Sequence, residues 1–208
     1  MSKDNITAIL DKVKLEFTTH ADKETICRQG EECNYFLILT KGEITAETIS
    51  PCGSYSIEET HKAPYAIEPY SLFGYSTAYR RTYTSKDTCT TLAIEKGYFL
   101  SEFTKQHIFT LNLVNLISRR VQVQNETIWE QTPATIEGRI ISFIALRSES
   151  TTGSRRIKIK MEQLAAILCE TRLNVSKALN RLQSLGMLSL SRKEIFIPDF
   201  SRLIPFIK

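Results

Sequence analysis

Residues 164–188 of this 208-residue chain, LAAILCETRLNVSKALNRLQSLGML, constrain its fold more than any other stretch. Residues 169–171 read as a tight turn, and Thr171 is a suitable N-cap for a second helix that starts at Arg172. Apolar residues recur at helical spacing on both sides of this turn: Leu164, Ile167, Leu168, Val175, Leu179, Leu182 and Leu185. The stretch therefore predicts two helices packed across a short turn, a helix-turn-helix.

The segments around this motif predict a winged form of it. The helical pattern IEGRIISFIALRSE and the strand-like IKIKM precede it. Two short apolar runs, residues 188–190 and 195–197, follow it and flank a polar tip at residues 191–194. Helix, strand, helix, turn, helix and hairpin in this order are typical of a winged helix-turn-helix.

The second helix of the motif carries polar side chains near its N-terminus, the end that enters the major groove in this motif. Arg can form a bidentate contact with guanine and Asn with adenine, whereas hydroxyl and ammonium groups suit phosphates. We expect DNA contacts from eight residues: Thr171, Arg172, Asn174, Ser176, Lys177, Arg181, Arg192 and Lys193. The alternative is an exposed amphipathic helix with incidental charge.

The distribution of charge favours the DNA-binding interpretation. Residues 1–133 carry 14 Lys and Arg against 17 Asp and Glu, a net charge of −3. Residues 134–208 carry 13 and 6, a net charge of +7. A basic C-terminal third on a slightly acidic body is typical of a module that binds a phosphate backbone.

Residues 15–100 have the composition of short strands. The stretch YFLILTKGEITAETI predicts two strands around a turn at Lys41-Gly42, and ISPCGSYSIEET predicts a hairpin with Pro51 and Gly53 at its tip. Strands this short and evenly spaced predict an antiparallel barrel or sandwich. A short helix is expected before them, at residues 5–10.

Residues 95–130 change to a helical period. The apolar seam steps by three and four through Val114, Ile117, Val121, Gln124 and Ile128, as in a two-stranded coiled coil. We expect a dimerisation helix, and the alternative is a helix that packs on the β region. Because Thr132-Pro133 should end this helix, the predicted domains are 1–105, 106–131 and 132–208.

Three blocks of the sequence together resemble the CRP/FNR family of bacterial transcription regulators: ICRQGEECNYFLILTKGEITAE, SRRVQVQNETIWEQTPATIEGRI and TRLNVSKALNRLQSLGML. The resemblance implies an α+β chain with a cyclic-nucleotide-binding-like jelly-roll barrel, a dimerisation helix and a winged helix-turn-helix. It also implies a cytoplasmic homodimer that binds a pseudo-palindromic operator in double-stranded DNA. RNA polymerase would be a further partner, and a small effector in the barrel would control binding.

The chain departs from the family pattern at two places. Leu173 stands where the family commonly has Glu, so the operator should differ from the usual half-site. The positions that match the family's effector pocket are Phe73, Gly74, Tyr75, Arg81, Thr82, Gln124 and Asn125. Tyr75 replaces the Glu that takes the ribose hydroxyl, and therefore cyclic AMP is not expected and the effector is left open.

The same region holds five aromatic residues, which either line a ligand cavity or pack as core: Tyr70, Phe73, Tyr75, Tyr79 and Tyr83. Five scattered cysteines form no CxxC pair, and no iron–sulfur cluster or zinc site is expected. His20, His61 and His107 are isolated, each more typical of a structural histidine than of a ligand.

Other function classes have less support. The sequence offers no nucleophile–base pairing and no phosphate-cradling glycine loop, so we do not expect an enzyme. It has no run of 18 apolar residues, so we expect no membrane span and a cytoplasmic location. The rival function is a small-molecule or redox sensor that acts through protein contacts and binds DNA only weakly.

Overall fold

The computed structural model describes residues 15–103, 105–129 and 133–207. The chain divides into two compact units: the first contains residues 1–45 and 61–125, and the second contains residues 46–60 and 126–208. The helix expected at residues 5–10 lies outside the described residues. The linear domain division expected above therefore differs from the spatial one, because residues 46–60 belong with the C-terminal segment.

The first unit is built from antiparallel strands. Its four-stranded sheet has the order β1-β8-β3-β6, formed by Glu16–His20, Cys89–Glu95, Tyr35–Lys41 and Tyr65–Ile67. Strands β2 (Thr25–Cys27) and β7 (Thr82–Ser85) pair with each other, and β7 also borders the start of β4 (Glu43–Ile49). Alternate residues are buried along β3, β7 and the first half of β4, as the period of two in a half-buried sheet requires.

The turn between β3 and β4 confirms the prediction at Lys41-Gly42. Gly42 has φ 86°, and a Cβ added there would lie 2.7 Å from the Cβ of Cys89. Only glycine fits this conformation and this close approach.

The strands form two sheets that do not close into a barrel, which corrects one detail of the predicted jelly roll. The physical reason is a long hairpin, β4 and β5 (Tyr55–Lys62), whose outer part, residues 46–60, leaves the first unit. Its tip contains Pro51 and Gly53, as predicted, and Gly53 has φ 66°.

The helical segment after β8 is interrupted. A short helix α1 (Lys96–Tyr98) continues into a π-helical turn (Phe99–Phe103), and the long helix α2 begins only at His107 and ends at Trp129. A long helix is therefore present within the predicted range 106–131, its role in dimerisation stays a prediction, and the continuous helical period expected from residue 95 is not observed.

The second unit is a winged helix-turn-helix. Its elements in chain order are α3 (Ile136–Ala145), β9 (Arg155–Ile159), α4 (Met161–Ile167), α5 (Arg172–Ser184), β10 (Ser189–Ser191) and β11 (Glu194–Ile197). Helix α3 starts at the N-cap Thr135, whose hydroxyl accepts a hydrogen bond from the Gly138 amide at 3.1 Å. Strand β9 begins two residues earlier than the IKIKM run indicated.

The winged sheet of this unit takes its fourth strand from the hairpin. The order is β10-β11-β9-β5, and β5 pairs with β9 from Tyr55↔Ile159 to Glu59↔Arg155. Ile57 of β5 is buried in the same apolar core as residues of α3, α4 and α5. A segment that precedes the helix-turn-helix by about 100 residues thus completes its sheet and its core.

Candidate nucleic-acid interface

The turn between α4 and α5 is held by local hydrogen bonds and by α3. Cys169 takes the left-handed conformation with φ 52°, and the Thr171 hydroxyl caps α5 by accepting the Asn174 amide at 3.2 Å. Arg139 of α3 donates to the Leu168 carbonyl at 3.3 Å and to the Glu170 carboxylate. The predicted turn at residues 169–171 and the predicted N-cap are therefore confirmed.

Helix α5 has one buried and one exposed face. Val175, Ala178, Leu179 and Leu182 are buried against the domain core, to which Leu164 and Ala165 of α4 also belong. The opposite face is exposed to solvent, as the sequence period required.

The two basic residues of α5 that matter most for the prediction both project outward. The Arg172 side chain is 69% exposed and donates to the Glu162 carboxylate of α4 at 3.4 Å, and Lys177 is exposed one turn and a half further on. Burial of either would have removed them from contact with a double helix. Their exposure leaves the DNA-binding interpretation intact.

Asn174 has a structural contact that the sequence did not indicate. Its side-chain amide donates to Glu170 at 3.1 Å, and Glu170 also pairs with Arg139. The hydrogen bond from Asn174 and then that from Arg139 lower the pKa of Glu170 below its ordinary value of 4.5. Asn174 therefore stabilises the turn between α4 and α5 in this structure, because its side-chain amide is directed to Glu170.

The remaining predicted contacts lie at the edges of this surface. Arg181 donates to Glu137 of α3 at 3.4 Å, and Ser176 is half-buried. Arg192 and Lys193 are exposed at the tip of the wing, where Lys193 adopts φ 62° and its carbonyl accepts the Ile159 amide at 2.9 Å. The turn at the wing tip is thus anchored to β9.

A cavity of about 450 Å³ opens within the second unit between α4, the start of α5 and the wing. Its charged lining contains three cations, Lys160, Arg172 and Lys193, and two carboxylates, Glu162 and Glu194. The structure thus brings Arg172 and the wing-tip Lys193, predicted separately, to one concave surface.

The predicted dimer seam on α2 is exposed where the structure describes it. Val114 and Val121 are about half exposed and Ile117 is half-buried, whereas the side chains of Gln124 and Ile128 lie outside the described residues. Other large apolar side chains of α2 are exposed as well, namely Ile108, Leu111, Leu116 and Val123. This helix presents far more apolar surface than a solvated helix needs.

The predicted effector positions that the structure describes differ in their burial. Arg81 is buried and Thr82 is half-buried, with its hydroxyl accepting the Gln29 amide at 3.1 Å. Gly74 and Asn125 are exposed, and Phe73 packs against Phe99 with a ring-centroid distance of 6.1 Å. Tyr75 is fully exposed and directly follows the Gly74 turn, where φ is 102°; its place in an effector pocket stays a prediction.

The interior of the first unit contains a polar group that the sequence did not single out. Glu68 is fully buried, and one carboxylate oxygen accepts hydrogen bonds from Ser71 and the Arg80 amide. Its other oxygen has no hydrogen-bond partner among the described residues. Tyr70 and Tyr83 lie in the same interior, where burial and the nearby Glu68 raise the pKa of both phenols.

Other candidate sites have structural roles. His20 is bonded to Glu24 and Thr91, and His61 stacks on Tyr65, in keeping with structural histidines. Cys27 and Cys33 are buried, and burial raises the pKa of both thiols. Within the described parts of the chain, no three His, Cys, Asp or Glu side chains are grouped to hold a metal ion. None of the described helices has the length and apolar character to cross a membrane.

Comparison with known proteins supports the helix-turn-helix assignment. Residues 138–206 match the Crp-like helix-turn-helix domain. No protein of curated function matches the sequence. The family match covers the two helices of the motif, the turn and the wing.

Solved structures of low sequence identity share the fold. The catabolite activator protein of Thermus thermophilus matches all of this chain and 95% of its own, with 14% identity and a TM-score of 0.54. A transcriptional regulator from Thermotoga maritima matches 60% of this chain and 95% of its own, with 20% identity and a TM-score of 0.52. The c-di-GMP-responsive global regulator CLP of Xanthomonas campestris matches 95% and 99%, with 13% identity and a TM-score of 0.52. The predicted α+β architecture is therefore confirmed, and the family match at residues 138–206 bears out the resemblance for the helix-turn-helix.

Proposed function

Because the chain combines a Crp-like helix-turn-helix with the fold of CRP/FNR-family transcription regulators, we propose that it is a sequence-specific DNA-binding regulator. It would act as a homodimer on a pseudo-palindromic operator, under the control of a small effector. The observation that carries the proposal is the outward projection of Arg172 and Lys177 from α5. The N-terminal half of the second helix is the part that contacts base edges in a helix-turn-helix, so two exposed cations there suit contact with DNA.

The homodimer is supported by the apolar seam of α2. Val114 and Val121 alternate at the spacing of a two-stranded coiled coil and are exposed in the single chain. A second copy of the same helix is the partner with matching periodicity. Two copies related by a two-fold axis would place their recognition helices in major grooves about 34 Å apart.

The effector in this proposal is a small polar molecule other than cyclic AMP. Buried polar groups inside the first unit, Arg81 and the half-satisfied Glu68, favour a small polar ligand over an apolar one. Tyr75 in place of a ribose-binding carboxylate favours a ligand other than cyclic AMP. Contacts with RNA polymerase, which activation would need, belong to the same proposal.

Selection from a random duplex library tests the DNA-binding function, and fluorescence anisotropy then measures affinity for the selected duplex. We expect affinity for the selected duplex to fall about a thousandfold or more between 50 and 200 mM salt, because several phosphates are neutralised. Lys177→Ala should weaken binding far more than Arg202→Ala, an equal change of charge at an exposed residue outside the motif. Failure of the selection to enrich any sequence would contradict the proposal.

Sedimentation tests the dimer separately. Val114→Asp should shift the protein from dimer to monomer, because two carboxylates would face each other across an apolar seam. Phe17→Asp is the matched control, since Phe17 is equally apolar and 64% exposed but lies on strand β1. Monomer formation by both variants, or by neither, would remove α2 as the interface.

A further inference from the structure

Leu173 is the most exposed large apolar side chain among the described residues of the second unit, at 62%. It lies in the first turn of α5, between Arg172 and Asn174. At about 100° per residue, it projects nearly opposite to the buried face formed by Val175, Ala178, Leu179 and Leu182. No other side chain of this turn points as directly away from the domain core.

The polar neighbours of Leu173 leave it at the centre of the exposed face. Arg172 lies to one side, where it pairs with Glu162, and Asn174 lies to the other, where it donates to Glu170. Lys177 is on the same side of the helix as Leu173, one turn further on. If α5 enters a major groove, as the proposed function requires, Leu173 approaches the base edges first.

We infer that Leu173 is a specificity-determining residue that reads the 5-methyl group of a thymine in each half-site. The thymine methyl is the one apolar group that a base presents in the major groove. An isobutyl side chain gains by covering that methyl, whereas it would desolvate the amino group of cytosine without replacing its hydrogen bond. The inference rests on the proposed function and adds to it the base chemistry of one position.

The test starts from the duplex that the full-length protein selects. Each thymine of that duplex is replaced in turn by deoxyuridine, which removes only the methyl group. We expect one thymine per half-site to respond, with a loss of affinity of about fourfold in one half-site and about fifteenfold in both. All other replacements should leave the affinity nearly unchanged.

Variants of the protein assign the effect to Leu173. Leu173→Ala should bind the thymine and deoxyuridine duplexes with equal affinity. Leu185→Ala is the matched control, because Leu185 is also an exposed leucine, at 50%, but caps the other end of α5. Leu173→Glu should move the preference at that position from thymine to cytosine, since a carboxylate accepts a hydrogen bond from the cytosine amino group.

The outcomes separate this inference from the proposed function. Specific binding that is indifferent to every deoxyuridine, together with an unchanged preference in Leu173→Glu, overturns the inference and leaves the DNA-binding regulator in place. A deoxyuridine response that persists in Leu173→Ala also overturns it, because another residue then reads the methyl. A wild-type protein without any sequence preference overturns both.

Discussion

The hairpin residue Glu59 should stabilise the DNA-binding unit, although it precedes α3, the first helix of that unit, by about 80 residues in the chain. Its carboxylate lies 3.5 Å from the Arg155 guanidinium, and the two side chains are 2% and 0% exposed. It also accepts the Glu149 amide at 2.8 Å. Arg155 in turn donates to the Ser148 hydroxyl and the Ser150 carbonyl, which order the loop before β9.

The variant Glu59→Gln removes the charge and keeps the shape. Removal of one partner of a buried ion pair costs about 3–5 kcal/mol, since the other charge stays buried. Gln retains an oxygen for the Glu149 amide, so we expect a cost near the lower limit, about 3 kcal/mol. Glu58→Gln is the matched control: Glu58 lies next to it on the same strand, but its pair with Arg156 is partly exposed, at 27% and 45%, and is worth about 1 kcal/mol.

Hydrogen exchange is the suitable assay, because two units can unfold separately and a single transition would not locate the loss. Glu59→Gln should accelerate exchange of the slowest amides in β9 and α5 by about a hundredfold, whereas Glu58→Gln should change them by less than about fivefold. Equal effects of the two variants, or a loss of protection confined to the first unit, would refute the conclusion that β5 stabilises the DNA-binding unit.

Three further predictions concern the DNA-facing surface. Lys193→Ala should weaken binding to all sequences alike and reduce the salt slope by about one, as expected for a phosphate contact, in anisotropy titrations over a salt series. Glu162→Gln should strengthen DNA binding, because Arg172 no longer has a competing carboxylate; unchanged or weaker affinity would mean that the pair positions Arg172 instead. Asn174 and Arg139 lower the pKa of Glu170 below 4.5, so the contribution of Glu170 to stability is present above that pH and is lost as the pH falls through the lowered pKa. Glu170→Gln should therefore reduce the loss of thermal stability at acid pH, measured by thermal unfolding over a pH series. An unaltered loss would contradict the prediction.

The helix-turn-helix could be predicted from the sequence because its determinants are local. The 3.6-residue period fixes which face of α5 is buried, and the Thr171 cap fixes where the helix starts, within a dozen residues of chain. The wing follows from two short apolar runs around a polar tip. The turn at Gly42 could be predicted for the same reason, because its positive φ and its close approach to Cys89 both require glycine.

The pairing of β5 with β9 could not be predicted from the sequence, because the two strands are distant in the chain. The segment 55–60 has the composition of any half-buried strand, and its partner β9 is about 100 residues away. Ile57 reads equally well as core of the first unit or of the second. The exposure of Tyr75 could not be predicted for a related reason: burial of a loop aromatic depends on the path of the backbone, and Tyr75 directly follows the Gly74 turn.

Carboxylates around α5 reduce the positive charge that residues 134–208, with a net charge of +7, offer to DNA in the free protein. Glu162 pairs with Arg172, Glu170 with Arg139, and Glu137 with Arg181, so part of the cationic surface is already neutralised in the free protein. The Arg172 and Arg181 pairs are largely exposed on the arginine side and are worth about 1 kcal/mol or less each. Phosphates and base edges can therefore displace Glu162 and Glu137 at little cost, while the pairs keep each guanidinium near its working position in the absence of DNA. The pair between Glu170 and Arg139 is less exposed and holds the turn, so it should persist when DNA binds.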